Sequence, residues 1–109
     1  MIQVTFFKNK ENELNGFHFI GHAEYGIAGE DVVCAGVSAL VFNTVNCIEY
    51  MTEDTFTLDT DEKTGRFEFH ITSSISHDTA VLLQSLSIGV QGISNDYGTD
   101  FVKIHFKEV

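Results

Sequence analysis

Residues 31 to 52, DVVCAGVSALVFNTVNCIEYMT, constrain the fold more than any other part of the chain. The run is too long for one strand and is apolar on most faces of a helical wheel. That pattern predicts a helix buried on several sides rather than a surface helix. Valine and glycine are mediocre helix formers, so packing against other elements must hold it.

The flanking segments have the other periodicity. In IQVTFFK, Ile2, Val4 and Phe6 alternate with Gln3, Thr5 and Phe7, a strand signal rich in β-branched and aromatic residues. NKENELNG follows as a polar turn, and LNGFHFI predicts a second strand ending near Gly21. After the long helix, TFTLDT and RFEFHIT flank the turn DEKTG, which predicts a hairpin. Ser76 can cap a second helix, with Asp78 favouring the positive end of its dipole. Leu83, Leu86, Val90 and Ile93 form that helix's apolar stripe, and NDYG ends it. FVKIHFK is a last strand with Val102, Ile104 and Phe106 on one face. The order ββαββαβ predicts an α+β fold, with two helices packed on a mostly antiparallel five-stranded sheet. The absence of linkers and repeats predicts a single domain over residues 1–109.

The chain has 109 residues, enough for one hydrophobic core, and ten phenylalanines to fill it. Its 16 acids against 6 Lys and Arg give a formal net charge of -10. Such a surface repels a phosphate backbone, so direct nucleic-acid binding is disfavoured. A basic protein or peptide would be drawn to it, although acidity also serves solubility alone. MIQVTFF lacks the charged and apolar regions of a signal peptide. No run is expected to reach the roughly 18 apolar residues of a membrane span. A soluble cytoplasmic protein with no membrane partner is therefore expected, its two cysteines reduced.

Chemistry concentrates in GHAEYGIAGEDVVCAGVSAL, residues 21 to 40. His22 lies just past the second strand, and Cys34 lies in the first turn of the long helix. With Asp31 as N-cap, Cys34 takes the third helical position, facing unpaired backbone amides and the positive dipole end. That setting lowers a thiol pKa, and the thiolate is the nucleophile. A histidine within reach would take the thiol proton and return one to a leaving amine. Backbone N–H groups at the helix start can serve as an oxyanion hole. The connection between strand and helix exceeds the usual 2 to 6 residues or so and holds Gly26 and Gly29, with Gly21 just before. It suits a flap over a substrate cleft, or an ordinary loose loop.

Ser38, four residues after Cys34, shares its helix face and either orients a partner or packs as a small residue. Asp31 either caps the helix or orients His22. Cys47 lies about 20 Å from Cys34 along an intact helix. A disulfide needs Cα atoms within about 7 Å, so Cys47 reads as a small buried apolar residue. His18, His70, His105 and His77 show no zinc-binding spacing, and no cofactor motif is present. A zinc site from His22, Glu24 and Cys34 ranks below a thiol catalyst. The residues alone leave open a protease, a non-catalytic acidic binding module or assembly factor for a basic protein, and a metal or redox sensor.

The same stretch resembles the signature of the ribosomal-processing cysteine protease family Prp. The matching positions are Gly21, His22, Ala23, Gly26, Gly29, Asp31, Val32, Val33, Cys34, Ala35, Val37 and Ser38. Outside them the likeness is one of length, element order and acidity. The resemblance implies an endopeptidase that removes the N-terminal extension of a large-subunit ribosomal protein precursor after an aromatic pair, a step in ribosome maturation. It implies a catalytic dyad of Cys34 and His22, supported by Asp31 and Ser38, with no metal or cofactor. It also implies a homodimer and a substrate loop containing Gly21, Gly26 and Gly29 that moves to admit the peptide. Tyr25 and Ile27 fall in that loop's variable part.

Overall fold

The computed structural model describes residues 1–21 and 30–109, with residues 30 and 31 described by their backbone alone. Seven elements follow the expected order: β1 (Ile2–Lys8), β2 (Leu14–Ile20), α1 (Glu30–Met51), β3 (Phe56–Asp61), β4 (Arg66–Ile71), α2 (His77–Tyr97) and β5 (Val102–Glu108). The strands form one sheet in the order β3-β4-β2-β1-β5. Three neighbouring pairs are antiparallel, and β1 with β5 is parallel. The sheet is therefore mixed, with the two helices packed on it.

Strand alternation decides which residues meet the helices. Ile2, Val4, Phe6, Phe17, Phe19, Phe69 and Val102 are buried together with Val33, Val37, Val41, Val45 and Ile48 of α1 and Leu83, Leu86 and Val90 of α2. Phenylalanines tie adjacent strands across this layer. Phe17 stacks on Phe69 at 4.9 Å, Phe56 lies 4.9 Å from Phe69, and Phe6 meets Phe19 edge-on at 6.2 Å. Each such pair contributes roughly 0.5–1.5 kcal/mol beyond its buried area. The alternate residues, among them His18, Glu68 and His70, face away from the helices.

Among the described residues most buried polar groups are paired, although Asn15 Oδ1 is buried without a hydrogen-bond partner. Ser94 Oγ donates to the Val102 carbonyl at 3.0 Å, and Thr44 Oγ1 donates to the Leu40 carbonyl at 2.8 Å. Ser76 caps α2, its Oγ accepting from the Thr79 N–H at 3.2 Å, and the Ser76 N–H donates to Asp54 Oδ2 at 2.8 Å.

Three details differ from expectation. First, α1 is buried along one stripe, not on several sides. Val32, Phe42, Tyr50 and Met51 are exposed. A two-layer fold covers only one face of each helix. Second, α1 begins at Glu30, so Asp31 lies inside the first turn rather than capping it, and Cys34 is the fifth helical residue rather than the third. Two acids in succession suit the positive end of a helix and let it start earlier. Third, Val32–Met51 is, by length and composition, apolar enough to cross a membrane, with a mean hydropathy of 1.6. Its valine stripe is buried inside the protein, and core helices share this composition with membrane spans.

Candidate active site

A groove of about 530 Å³ opens between α1 and the β3–β4 hairpin. α1 supplies Cys34, Val37, Ser38, Val41 and Phe42 as one wall. These positions recur at helical spacing, so residues three and four apart share that face. The opposite side is formed by Phe67 and Arg66 of β4, by Thr60, Asp61, Glu62 and Gly65 around the hairpin turn, and by Gly21 at the end of β2. Ile2 and Phe19 complete the lining from the sheet.

Cys34 is half-buried, packed against the core while lining the groove. It is a free thiol, as is Cys47. Cys47 is only half-buried, because it lies at the flank of the buried stripe; its Sγ lies 3.8 Å from Asn43 Oδ1. Ser38 sits one turn beyond Cys34 on the same wall. Further along, Phe42 meets Phe67 edge-on, with ring centroids 5.3 Å apart at 90°. This contact bridges α1 and the hairpin and makes that stretch of the groove aromatic.

The hairpin side is polar. Asp61 Oδ1 accepts from the Lys63 N–H at 3.0 Å, shaping the turn. Arg66 lines the groove and pairs with Asp59 at 3.1 Å. Its charge is thereby partly met, leaving Asp61 and Glu62 to set an acidic rim.

Gly21 closes the near end. Its N–H donates to the Thr64 carbonyl at 3.2 Å, and its φ is +121°. A Cβ built there would lie 2.2 Å from the Met1 carbonyl oxygen. Only glycine fits this backbone position.

Of the residues singled out in the sequence, the fold brings Gly21, Cys34 and Ser38 to one groove. Asp31 is placed in the first turn of α1 by its backbone. His22, Gly26 and Gly29 lie outside the described residues, as do Glu24, Tyr25 and Ile27. His18 and His70 lie on the other face of the sheet, 3.9 and 3.5 Å from Glu68, and His77 opens α2. Among the described residues no three His, Cys, Asp or Glu side chains converge in an arrangement suited to a metal ion. No local pattern in the sequence marks Phe42, Arg66 and Phe67 as groove residues. Phe67 was legible as a strand residue facing the helices, but nothing local reveals that Phe42 would meet it.

Comparison with known proteins places this geometry. A family model described as cysteine protease Prp matches residues 1–102. The chain is 29% identical over 107 residues to the ribosomal processing cysteine protease Prp of Staphylococcus aureus (strain Mu50 / ATCC 700699), covering 98% of this chain and 100% of that protein. It is 31% identical over 101 residues to the protein of the same name from Bacillus subtilis (strain 168), covering 89% and 90%. It is also similar to the crystal structure of the S. aureus ribosomal processing protease Prp in complex with a covalently linked product peptide. That match has a TM-score of 0.88 and 29% identity, covering 98% of this chain and 100% of the other. With a thiol in a peptide-sized groove and a family match over nearly its whole length, this chain belongs to the Prp family of cysteine proteases.

Proposed function

We propose that this protease removes the N-terminal extension of a large-subunit ribosomal protein precursor, using Cys34 as nucleophile and His22 as general base and acid. The observation that carries the reading is the shared groove: Cys34 lines it from α1, and Gly21, the residue preceding His22 in the chain, lines it just past the end of β2.

The chemistry balances as two acyl transfers. The Cys34 thiolate adds to the scissile carbonyl carbon, its proton having passed to His22. The tetrahedral intermediate collapses, the C–N bond breaks, and the imidazolium protonates the leaving amine. A thioester remains. Water then adds to it with His22 taking a proton, and collapse releases the carboxylate product and returns the thiol. Backbone N–H groups at the start of α1 are the donors nearest in sequence for the developing oxyanion. Asp31 and Ser38 act in support, Asp31 toward His22 and Ser38 beside Cys34. No metal or cofactor takes part in this reaction.

The lining supports an aromatic peptide. Val37, Val41, Phe42 and Phe67 form an apolar surface suited to the aromatic pair that precedes the scissile bond. The acidic rim at Asp61 and Glu62 and the net charge of -10 favour a basic precursor over nucleic acid or an anionic membrane. The enzyme works in the cytoplasm as a homodimer, each copy one domain, with the glycine loop admitting substrate.

The covalent product complex of the S. aureus relative supports the acyl-transfer scheme for a protein of this fold. Incubating the precursor with the enzyme and weighing the products tests the reading here. Wild type should release the extension as one fragment, and Cys34→Ala and His22→Ala should leave the precursor intact. Full cleavage by either variant overturns the dyad.

A further inference from the structure

The two helices lie side by side as one layer. A Cβ built on Gly36 would lie 3.4 Å from Ile93 Cδ1, and one on Gly89 only 2.9 Å from Leu40 Cδ1, so α1 and α2 run antiparallel in close contact. The sheet covers one side of this layer, where the valines of α1 and Leu83, Leu86 and Val90 of α2 are buried. Among the described residues nothing covers the other side. There Val32 is 56%, Val81 52% and Ile88 63% exposed. Ala35, Ala39, Asn43 and Asn46 are exposed with them. Val81, Gln84, Ser85 and Ile88 frame a shallow hollow of about 300 Å³. This side also carries no charge. From Val32 to Ile48 and from Thr79 to Asn95 there is no Asp, Glu, Lys, Arg or His, in a chain with 16 acids and 6 Lys and Arg. The water-facing side of a surface helix ordinarily carries charged residues, and their depletion marks the core of an interface.

We propose that this uncharged helical face is where two copies of the chain meet, with their helix layers packed back to back. This rests on the homodimer of the proposed function and adds the surface that forms it. Charge selects the occupant. A net charge of -10 repels an anionic bilayer, and a basic precursor is drawn to the acids, none of which lies on this face. A partner that fits must bring an equally uncharged surface. A second copy brings the same one, as a two-fold interface requires. The size agrees. Helices of 22 and 21 residues, at about 1.5 Å per residue and about 10 Å across, present a face of about 30 by 20 Å. That is on the order of 600 Å² in projection, enough to bury the roughly 800 Å² of accessible surface that each partner loses in a standard interface. Ala35 and Ala39 keep the surface low, so that a facing helix can come close. Asn43, Asn46 and Gln84 can hydrogen-bond across it without burying an ion. Phe42 lies on the groove side of the face, at its rim.

The test places a charge on the face and weighs the full-length protein by sedimentation equilibrium. Wild type should sediment as a dimer. Ala39→Glu on α1 and Ile88→Glu on α2 each put two unpaired charges into a two-fold contact, and each should weaken dimerisation by at least about a hundredfold. Ala39→Lys should do the same, because the penalty is for burying an ion of either sign. These positions are exposed in the single chain, so far-UV circular dichroism of the variants should match wild type. Thr57→Glu, at an exposed position of β3, should leave the dimer intact. Dimers that persist in both Ala39→Glu and Ile88→Glu overturn the face while the homodimer stands. A dimer tightened by Ala39→Lys also overturns it, since the lysine then acts through net charge from outside the contact. Wild type that stays monomeric at about 100 μM, a concentration at which a specific interface of this size is filled, overturns the homodimer and the face together. Flotation of wild type with phosphatidylglycerol vesicles, lost in Ile88→Glu, would assign the face to a bilayer and overturn the second copy as its occupant.

Discussion

Cys34 and Phe42 occupy the same wall of α1 but do different work. Cys34 is held against the core, so its position is set by packing rather than by side-chain freedom. Phe42 is 56% exposed, and its packing is the edge-on contact with Phe67. Truncating it therefore removes groove surface without opening the core. Phe42→Ala is expected to leave the melting temperature nearly unchanged and to lower kcat/KM on an aromatic peptide by about tenfold. Steady-state kinetics on paired aromatic and aliphatic peptides check this, since the loss should shrink when the substrate has no ring to seat. The cysteine and its signature were readable in the chain. The role of Phe42 was not, because its partner lies 25 positions away on another element.

At the scale of elements, the joint between α1 and α2 carries its own electrostatics. Asp54 follows α1, and its carboxyl is held below the ordinary value of 3.8 by hydrogen bonding to the Thr79 hydroxyl and then to the Ser76 N–H, against an opposing effect of burial. A depressed folded-state pKa means that the ionised carboxylate stabilises the fold. That contribution is complete above the unfolded value near 3.8 and is lost as pH falls through the lower folded value. The difference in melting temperature between wild type and Asp54→Asn should therefore be constant near neutrality and shrink in the acid range below about pH 4. Ser76→Ala removes the cap of the same helix and should cost about 1 kcal/mol in urea unfolding. Ser76 and Asp78 announce the start of α2 in the sequence. Asp54 gives no such sign, since its donors come from a helix that begins 23 residues later.

Across the whole molecule, stability and substrate choice rest on different surfaces. The helices and the phenylalanine layer form one core, with Phe69 wholly buried between Phe17 and Phe56. Phe69→Ala should destabilise by about 3–5 kcal/mol, measured by denaturant midpoint, because its ring neighbours on the two adjacent strands cannot all collapse into the space. The charge of -10 acts outside the core. If it steers a basic precursor, cleavage of the full-length precursor should slow with added salt, while cleavage of a short neutral peptide should not. Equal salt dependence for the two substrates removes steering from the account.

Element type and order, the cap of α2 and the signature around Cys34 follow from the sequence alone, because each is encoded by residues within a turn or two of one another. Side-chain periodicity separates helix from strand, and a cap requires its partner three residues on. The tertiary structure decided the rest. The parallel pairing of β1 with β5 joins the two ends of the chain. The single buried stripe of α1 depends on how many layers the fold has. The groove exists only because the β3–β4 hairpin comes to lie against α1, and Gly21 is fixed only because Thr64 and Met1 meet it there. These contacts join residues far apart in the chain, and they are selected by which faces the assembled core leaves to be covered, a property no local pattern contains.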